Sequence, residues 1–359
     1  MLPRRCPGAA PVLPPRWHRR NSVPPPGVAP GMTTLPPLSI LDLATVEADG
    51  SIADALAHSV ALAQLAEQQG YTRIWYAEHH NMSSIASSAT AVLIAHVAAH
   101  TRAIGLGSGG VMLPNHSPLV IAEQFGMLAE LHPGRIHLGL GRAPGTDGAT
   151  FRALRRTHEA AERFPSDVLE LQQYLSDELP RTAVNAYPGR GTKVPLTILG
   201  SSLFGAQLAA QLGLPYSFAS HFAPQLLTTA VQHYRANYTP SAAHPAPYVS
   251  AGVNVVAAAT DEEAERLFAR TELDRVRRFL SRGRAQDLTA DEAASLMDTP
   301  AGLEIRGMLT HTAIGGPERV REELAAFAQH ADVDELVTVH AAPTRAEQLE
   351  SVRLTTTAA

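Results

Sequence analysis

Glu78, His79 and His80 stand in a row, Ala77-Glu-His-His-Asn81, directly after the strand-like run Arg73-Ile-Trp-Tyr-Ala77. A carboxylate and two imidazoles at a strand end can act as acid, base or metal ligands. The competing use is local, with Glu78 and one histidine hydrogen-bonded to tie down the loop. A metal is the less expected occupant, because adjacent histidines on an extended chain point to opposite faces and no His-Glu-x-x-His spacing occurs. Gly107-Ser-Gly-Gly-Val-Met-Leu-Pro114 ends the next strand-like run. Glycines there open backbone torsions closed to other residues and let a flat ligand approach the main chain; a tight turn is the alternative.

Gly139-Leu-Gly-Arg142-Ala-Pro-Gly145-Thr-Asp147 adds a guanidinium, whose planar fork suits a phosphate or carboxylate. A salt bridge to Asp147 or another carboxylate is its competing use. Gly200-Ser201-Ser202 precedes a helical pattern, so hydroxyls and free amides at the helix start can face one anion. An ordinary serine cap is the alternative. Ala219-Ser-His221-Phe222 brings a further imidazole. Together these segments offer an anion clamp, a glycine floor and histidines, an arrangement that a phosphorylated planar cofactor would fill.

Such residues need a scaffold that gathers strand ends. From Leu38 onward, short apolar runs alternate with amphipathic stretches. Strand-like runs fall at 39–44, 73–77, 103–107, 136–140, 196–199, 216–219, 248–258 and 335–339, each followed by a helix-like pattern such as Ile52, Leu56, Val60 and Ala63. The run after 140 reads as a long helical region to Leu179. Eight strand-then-helix units predict a closed (β/α)₈ barrel, whose chemistry sits at the C-terminal strand ends. A doubly wound open sheet is the rival, but no Gly-x-Gly-x-x-Gly follows the first strand. Residues 283–312 break the alternation and read as an insertion after strand seven, a candidate mobile cover for the mouth.

Net charge divides unevenly along the chain. The 359 residues sum to −5, yet residues 1–31 hold nine prolines, five arginines and no acidic residue, leaving about −10 on the rest. A mildly acidic body lacks the field for nucleic-acid binding. No run of eighteen apolar residues exists to span a membrane, and the lone Cys6 leaves the body without thiol chemistry. The expected location is the cytoplasm. Residues 1–34 read as a disordered Pro/Arg-rich leader, with Met32 as an alternative start, and 35–359 as a single barrel.

The motifs Tyr76-Ala-Glu-His-His80, Gly109-Gly-Val-Met-Leu-Pro114, His132-Pro-Gly-Arg-Ile-His-Leu-Gly-Leu-Gly-Arg142 and Leu199-Gly-Ser-Ser-Leu-Phe-Gly-Ala206 resemble, in this order, the bacterial luciferase-like flavin-dependent monooxygenase superfamily. The resemblance spans roughly Leu38 to Val339. It implies a barrel that binds reduced FMN, usually as a homodimer, and takes that flavin from a separate NAD(P)H-dependent reductase. Oxygen then adds to the flavin, and the resulting peroxyflavin attacks a small organic, carbonyl-type acceptor. By position, His79, beside Glu78, resembles the catalytic histidine. Arg142, Gly200, Ser201 and Ser202 match the phosphate site, with His221 at the same rim. Gly109, Gly110 and Val111 match the segment under the isoalloxazine, where a non-proline cis peptide is frequent. Light-emitting relatives carry cysteine where this chain has Gly141, which argues against luminescence.

Relatives that transfer hydride with the deazaflavin F420 are the alternative, since the anion clamp suits either phosphate. A non-catalytic flavin-binding barrel is a second alternative. A phosphate-sugar lyase or isomerase would want a catalytic lysine or paired carboxylates, and the body's only lysine, Lys193, precedes strand five at the wrong end.

Overall fold

The computed structural model describes residues 35–47, 49–143, 147–157, 159–178, 183–281 and 286–357. The leader expected over 1–34 lies outside the described residues. Nine strands follow in chain order: β1 (Leu38–Asp42), β2 (Arg73–Tyr76), β3 (Gly105–Met112), β4 (Ile136–Gly141), β5 (Leu196–Gly200), β6 (Tyr216–Phe218), β7 (Val249–Ala257), β8 (Thr312–Gly315) and β9 (Glu335–His340). Strands β1 to β7 pair in order, β7 pairs with β9, and β9 returns to β1, all in parallel. Eight strands therefore close a (β/α)₈ barrel with helices between them, as the alternation predicts.

Parallel strands covered on both faces are buried throughout, which is why β7 reads Val-Ser-Ala-Gly-Val-Asn-Val-Val-Ala with every residue buried. Leu41, Trp75, Ala77, Val337 and Val339 form one apolar cluster contributed by the neighbouring β9, β1 and β2 segments. The helices start and stop where local chemistry dictates. Ser51 with Asp54, and Thr344 with Glu347, form reciprocal capping boxes at helices Ile52–Gln68 and Arg345–Thr356. Gly213, at φ 60°, ends helix Leu203–Leu212 in the left-handed conformation that glycine adopts without penalty. Among the described residues no helix is long and apolar enough to cross a membrane.

Three points differ from the sequence reading. Residues 283–312 do lie between β7 and β9, as the insertion expected after strand seven, but they lead into a strand that was not read, β8, which pairs with Asn254–Ala257 on β7 beyond the point where β6 pairing stops at Ala251. Four residues carry too little periodicity to announce themselves as a strand. Helices Ala290–Leu296 and Pro300–Gly307 of the same segment pack on helix Asp261–Ser281, and Arg306 ties them with ion pairs of 3.3 Å to Glu272 and 3.1 Å to Asp298.

The long helix read up to Leu179 is three: Gly148–Ala153, Glu159–Glu162 and Phe164–Leu175. Arg155, at φ 57°, breaks the first run, and Pro165 in the first turn starts the last. Finally, β3 continues past Gly107 to Met112, so Gly109 and Gly110 lie within a strand rather than in a loop.

Candidate active site at the barrel mouth

Glu78 follows β2 and is almost fully buried, with 1% of its side chain exposed. Four donors converge on its carboxylate. The Met112 backbone N–H, at the end of β3, donates to Oε2 at 3.0 Å, and Asn115 Nδ2 donates to Oε1 at 3.1 Å. His80 Nε2 lies 2.9 Å from Oε1, and His116 Nε2 lies 2.9 and 3.0 Å from the two oxygens. Burial alone would raise the carboxyl pKa, but the hydrogen bond and charge of His116, with the bonds from His80 and Asn115, hold it below the ordinary range. This cluster fastens the end of β2 to the end of β3.

Period-two alternation puts Glu78 and His80 on one side and leaves His79 on the other. His116 and Asn115 were not picked out by sequence reading; the signal available was their place after the neighbouring strand. Ligand atoms of Glu78, His80 and His116 lie within 4.8 Å of one another, close enough to hold an ion. Yet the 2.9 Å separations are hydrogen-bond lengths, and two further donors occupy the same carboxylate. Dialysis against a strong chelator is expected to leave the unfolding midpoint and turnover unchanged. A loss restored by zinc alone would instead identify a metal centre.

Beside this cluster, the Gly109–Gly110 peptide is cis. Strand β3 has one extra residue between Ser108 and Val111 relative to β4, a bulge that re-aims the chain there. The glycines are required by protein packing: a Cβ on Gly109 would come within 2.6 Å of Trp75 Cβ, and one on Gly110 within 2.8 Å of the Gly139 carbonyl. Val111 next to them is fully buried. A Cβ on Gly141 would meet the Met112 sulfur at 2.7 Å.

Across the mouth, Arg142 leaves β4 exposed, its guanidinium carbon 4.1 Å from the centre of the Phe204 ring. It makes no ion pair among the described residues. Asp147, the partner weighed from sequence, instead accepts from Asn81 Nδ2 at 2.8 Å and from the Thr150 N–H at 2.8 Å, bonds that pull its pKa down to about 2.

Gly200 ends β5, and Ser201 and Ser202 lead into helix Leu203–Leu212. Ser202 makes no side-chain capping bond to the first-turn amides, and Phe204 of that same turn carries the Arg142 guanidinium on its ring. Tyr216 Oη donates to the Ser202 carbonyl at 3.3 Å and steadies the turn. A cation and a helix start without a side-chain cap are the groups that could hold an anion such as a phosphate.

His79 is half-buried, with its backbone N–H bonded to the Ser87 carbonyl at 3.0 Å. His221, after β6, packs its ring on Gly252 of β7, where a Cβ would lie 2.2 Å from Nδ1. Burial pushes its pKa down to about 3, helped by the charges of Arg275 and His79, so the ring is neutral near pH 7. Its Nδ1 is buried with no hydrogen-bond partner. Arg275 of helix Asp261–Ser281 is a residue that sequence reading did not bring to this rim.

Comparison with known proteins agrees with this geometry. The profile of a family described as luciferase-like monooxygenase matches residues 37–334. A luciferase-like monooxygenase of Escherichia coli K12 is 47% identical over 302 residues, covering 83% of this chain and 90% of the relative. N-acetyl-S-alkylcysteine monooxygenase of Bacillus subtilis is 36% identical over 312 residues, covering 84% and 91%. Among solved structures, apo-MsnO8 superposes with a TM-score of 0.79 at 35% identity, covering 89% of this chain and 97% of that one. Two more distant structures share the fold with different cofactors. The oxygenating constituent of 3,6-diketocamphane monooxygenase from Pseudomonas putida, with FMN, has a TM-score of 0.66 at 18% identity and covers 89% and 97%. An F420-dependent secondary alcohol dehydrogenase has 0.63 at 13% and covers 89% and 98%.

Proposed function

Because the chain belongs to the luciferase-like monooxygenase family, we propose that it is an FMN-dependent monooxygenase acting on a small organic acceptor. The observation that carries this reading is Arg142 stacked on Phe204 over an uncapped helix start, a phosphate clamp with no competing carboxylate among the described residues. Reduced FMN, when bound, supplies the electrons that let one atom of dioxygen pass to the acceptor while the other leaves as water.

The chain's own residues bind and orient. Arg142, Ser201, Ser202 and the amides after them would hold the phosphate, and Gly109, Gly110 and Val111 would line the ring. Glu78 serves best as a positioning group, since its carboxylate is saturated by four donors. His79, half-buried next to this cluster, is the imidazole we assign to hold or move a proton at the acceptor. Neutral His221 accepts or donates a hydrogen bond without adding charge. The reduced flavin comes from a separate NAD(P)H flavin reductase. The protein acts as a homodimer, for which exposed Val92, Met127 and Leu131 on helices Thr90–His100 and Pro118–Leu131 supply an apolar face.

The test supplies FMN, a flavin reductase and labelled dioxygen with a panel of aldehydes, ketones and N-acetyl-S-alkylcysteines, and reads label in the product. A parallel arm supplies reduced F420. Product carrying label only with FMN is expected. Turnover with F420 alone would replace this reading by hydride transfer, and flavin retention without turnover would make the protein a passive binder. Arg142→Ala should weaken FMN affinity by about tenfold to a hundredfold, the loss expected for one charge-assisted hydrogen-bonding group. Equal affinity for FMN and riboflavin in the parent would remove the clamp from the argument.

A further inference from the structure

Helix Thr90–His100 runs back from the mouth toward the start of β3, so its last turn lies at the far end of the barrel. That end carries two exposed imidazoles, His96 and His100. Residues four apart share one helix face, the spacing at which two histidines can ligate one metal. Their ring centroids are 4.6 Å apart, with the planes inclined at 57°. Two imidazoles joined to one cation by metal–nitrogen bonds of about 2.0–2.1 Å hold their centroids about 4.5–5 Å apart, so the observed spacing matches a shared metal.

One tautomer is already set. His100 Nδ1 lies 2.8 Å from the His96 carbonyl oxygen. A carbonyl only accepts, so Nδ1 carries the proton and the ring's lone pair is on Nε2. Metal-binding histidines commonly donate their second ring nitrogen to such an acceptor, which fixes the ring. His96 is exposed, and its broad ring torsion lets it turn a nitrogen toward the same point.

The backbone beneath is fastened as well. Gln64 Nε2, on helix Ile52–Gln68, donates to the His100 carbonyl at 3.0 Å, and Thr101 Oγ1 donates to the Val97 carbonyl at 2.9 Å. Arg135 donates to the Ala98 carbonyl at 3.3 Å and to Thr101 Oγ1 at 2.6 Å. Binding would therefore order two side chains and no main chain. The partial negative charge at a helix C-terminus also favours a cation there.

We propose that His96 and His100 form a two-point chelate, distinct from the mouth, for a late divalent transition metal such as zinc, nickel or copper. Paired imidazoles suit these ions, whereas magnesium and calcium take oxygen ligands. The site is open, so its metal exchanges with solvent and occupies it only when supplied.

The test titrates metal-free full-length protein with nickel, zinc or magnesium chloride by calorimetry. Nickel and zinc should bind saturably, and magnesium should give no binding heat. His96→Gln and His100→Gln should each weaken nickel binding by about tenfold or more, since even the loss of a partner behind a ligand costs that much. Both side chains are exposed, so each variant without metal should unfold near the parent's midpoint, which shows that the weakening is not misfolding. Undiminished nickel affinity in both variants would put the metal elsewhere and overturns this site. So does a parent that shows no saturable binding of nickel or zinc.

Discussion

Glu78→Leu is expected to lower the free energy of unfolding by about 3–5 kcal/mol, the range for removing one member of a buried charge-assisted cluster. The leucine matches the volume approximately but accepts nothing. The Met112 N–H, Asn115 Nδ2 and the Nε2 groups of His80 and His116 would all lose this acceptor, whose own side chain is 1% exposed. Turnover should fall as well, because the ends of β2 and β3 are no longer fastened to each other. Denaturant midpoints at unchanged slope measure the stability term.

The same cluster fixes a pH dependence. The folded-state pKa of Glu78 is held below its unfolded value, so its contribution is complete above the ordinary carboxylate range and is lost as pH falls through the depressed value. Glu78→Leu should therefore flatten the acid limb of the stability curve relative to the parent. A loss below about 1 kcal/mol, with an unchanged acid limb, would mean that the four donors find other partners.

His79→Ala is expected to reduce turnover by about a hundredfold to ten-thousandfold while leaving FMN affinity nearly unchanged, the usual span for removing a positioned acid or base. Its backbone N–H to Ser87 survives the substitution. His221 cannot replace it as a proton donor, because burial keeps that ring neutral far above its pKa of about 3. Single-turnover measurements with prereduced FMN separate the two quantities. Full activity of the alanine enzyme would leave His79 a structural residue, and a loss confined to flavin affinity would move it to the cofactor site.

The alternation of apolar runs with helical patterns made the barrel legible, because each parallel strand is buried on both faces and each crossover helix on one. Arg142, Ser201 and Ser202 were readable for a related reason: in a barrel, residues just past consecutive strands are neighbours. By contrast, β8 was missed, and β3 was ended too early, because four residues in one case and a glycine bulge in the other erase the period that marks a strand.

What the sequence by itself determined is the fold and the family resemblance, with candidate residues at several strand ends. Only the tertiary structure decided which of them touch. The competing uses of Arg142 and Ser202 fell away once Asp147 was seen bonded to Asn81 and Thr150, and Ser202 without a capping bond. Glu78 became the hub of a cluster rather than a free carboxylate because His116, 38 positions along the chain, arrives just past the end of the adjacent strand. The pairing of Arg73 with Glu335 joins the second strand to the ninth. Spacing along a chain fixes which face a residue occupies, but a hydrogen bond depends on atoms brought within about 3 Å, and closure of the barrel is what sets those distances.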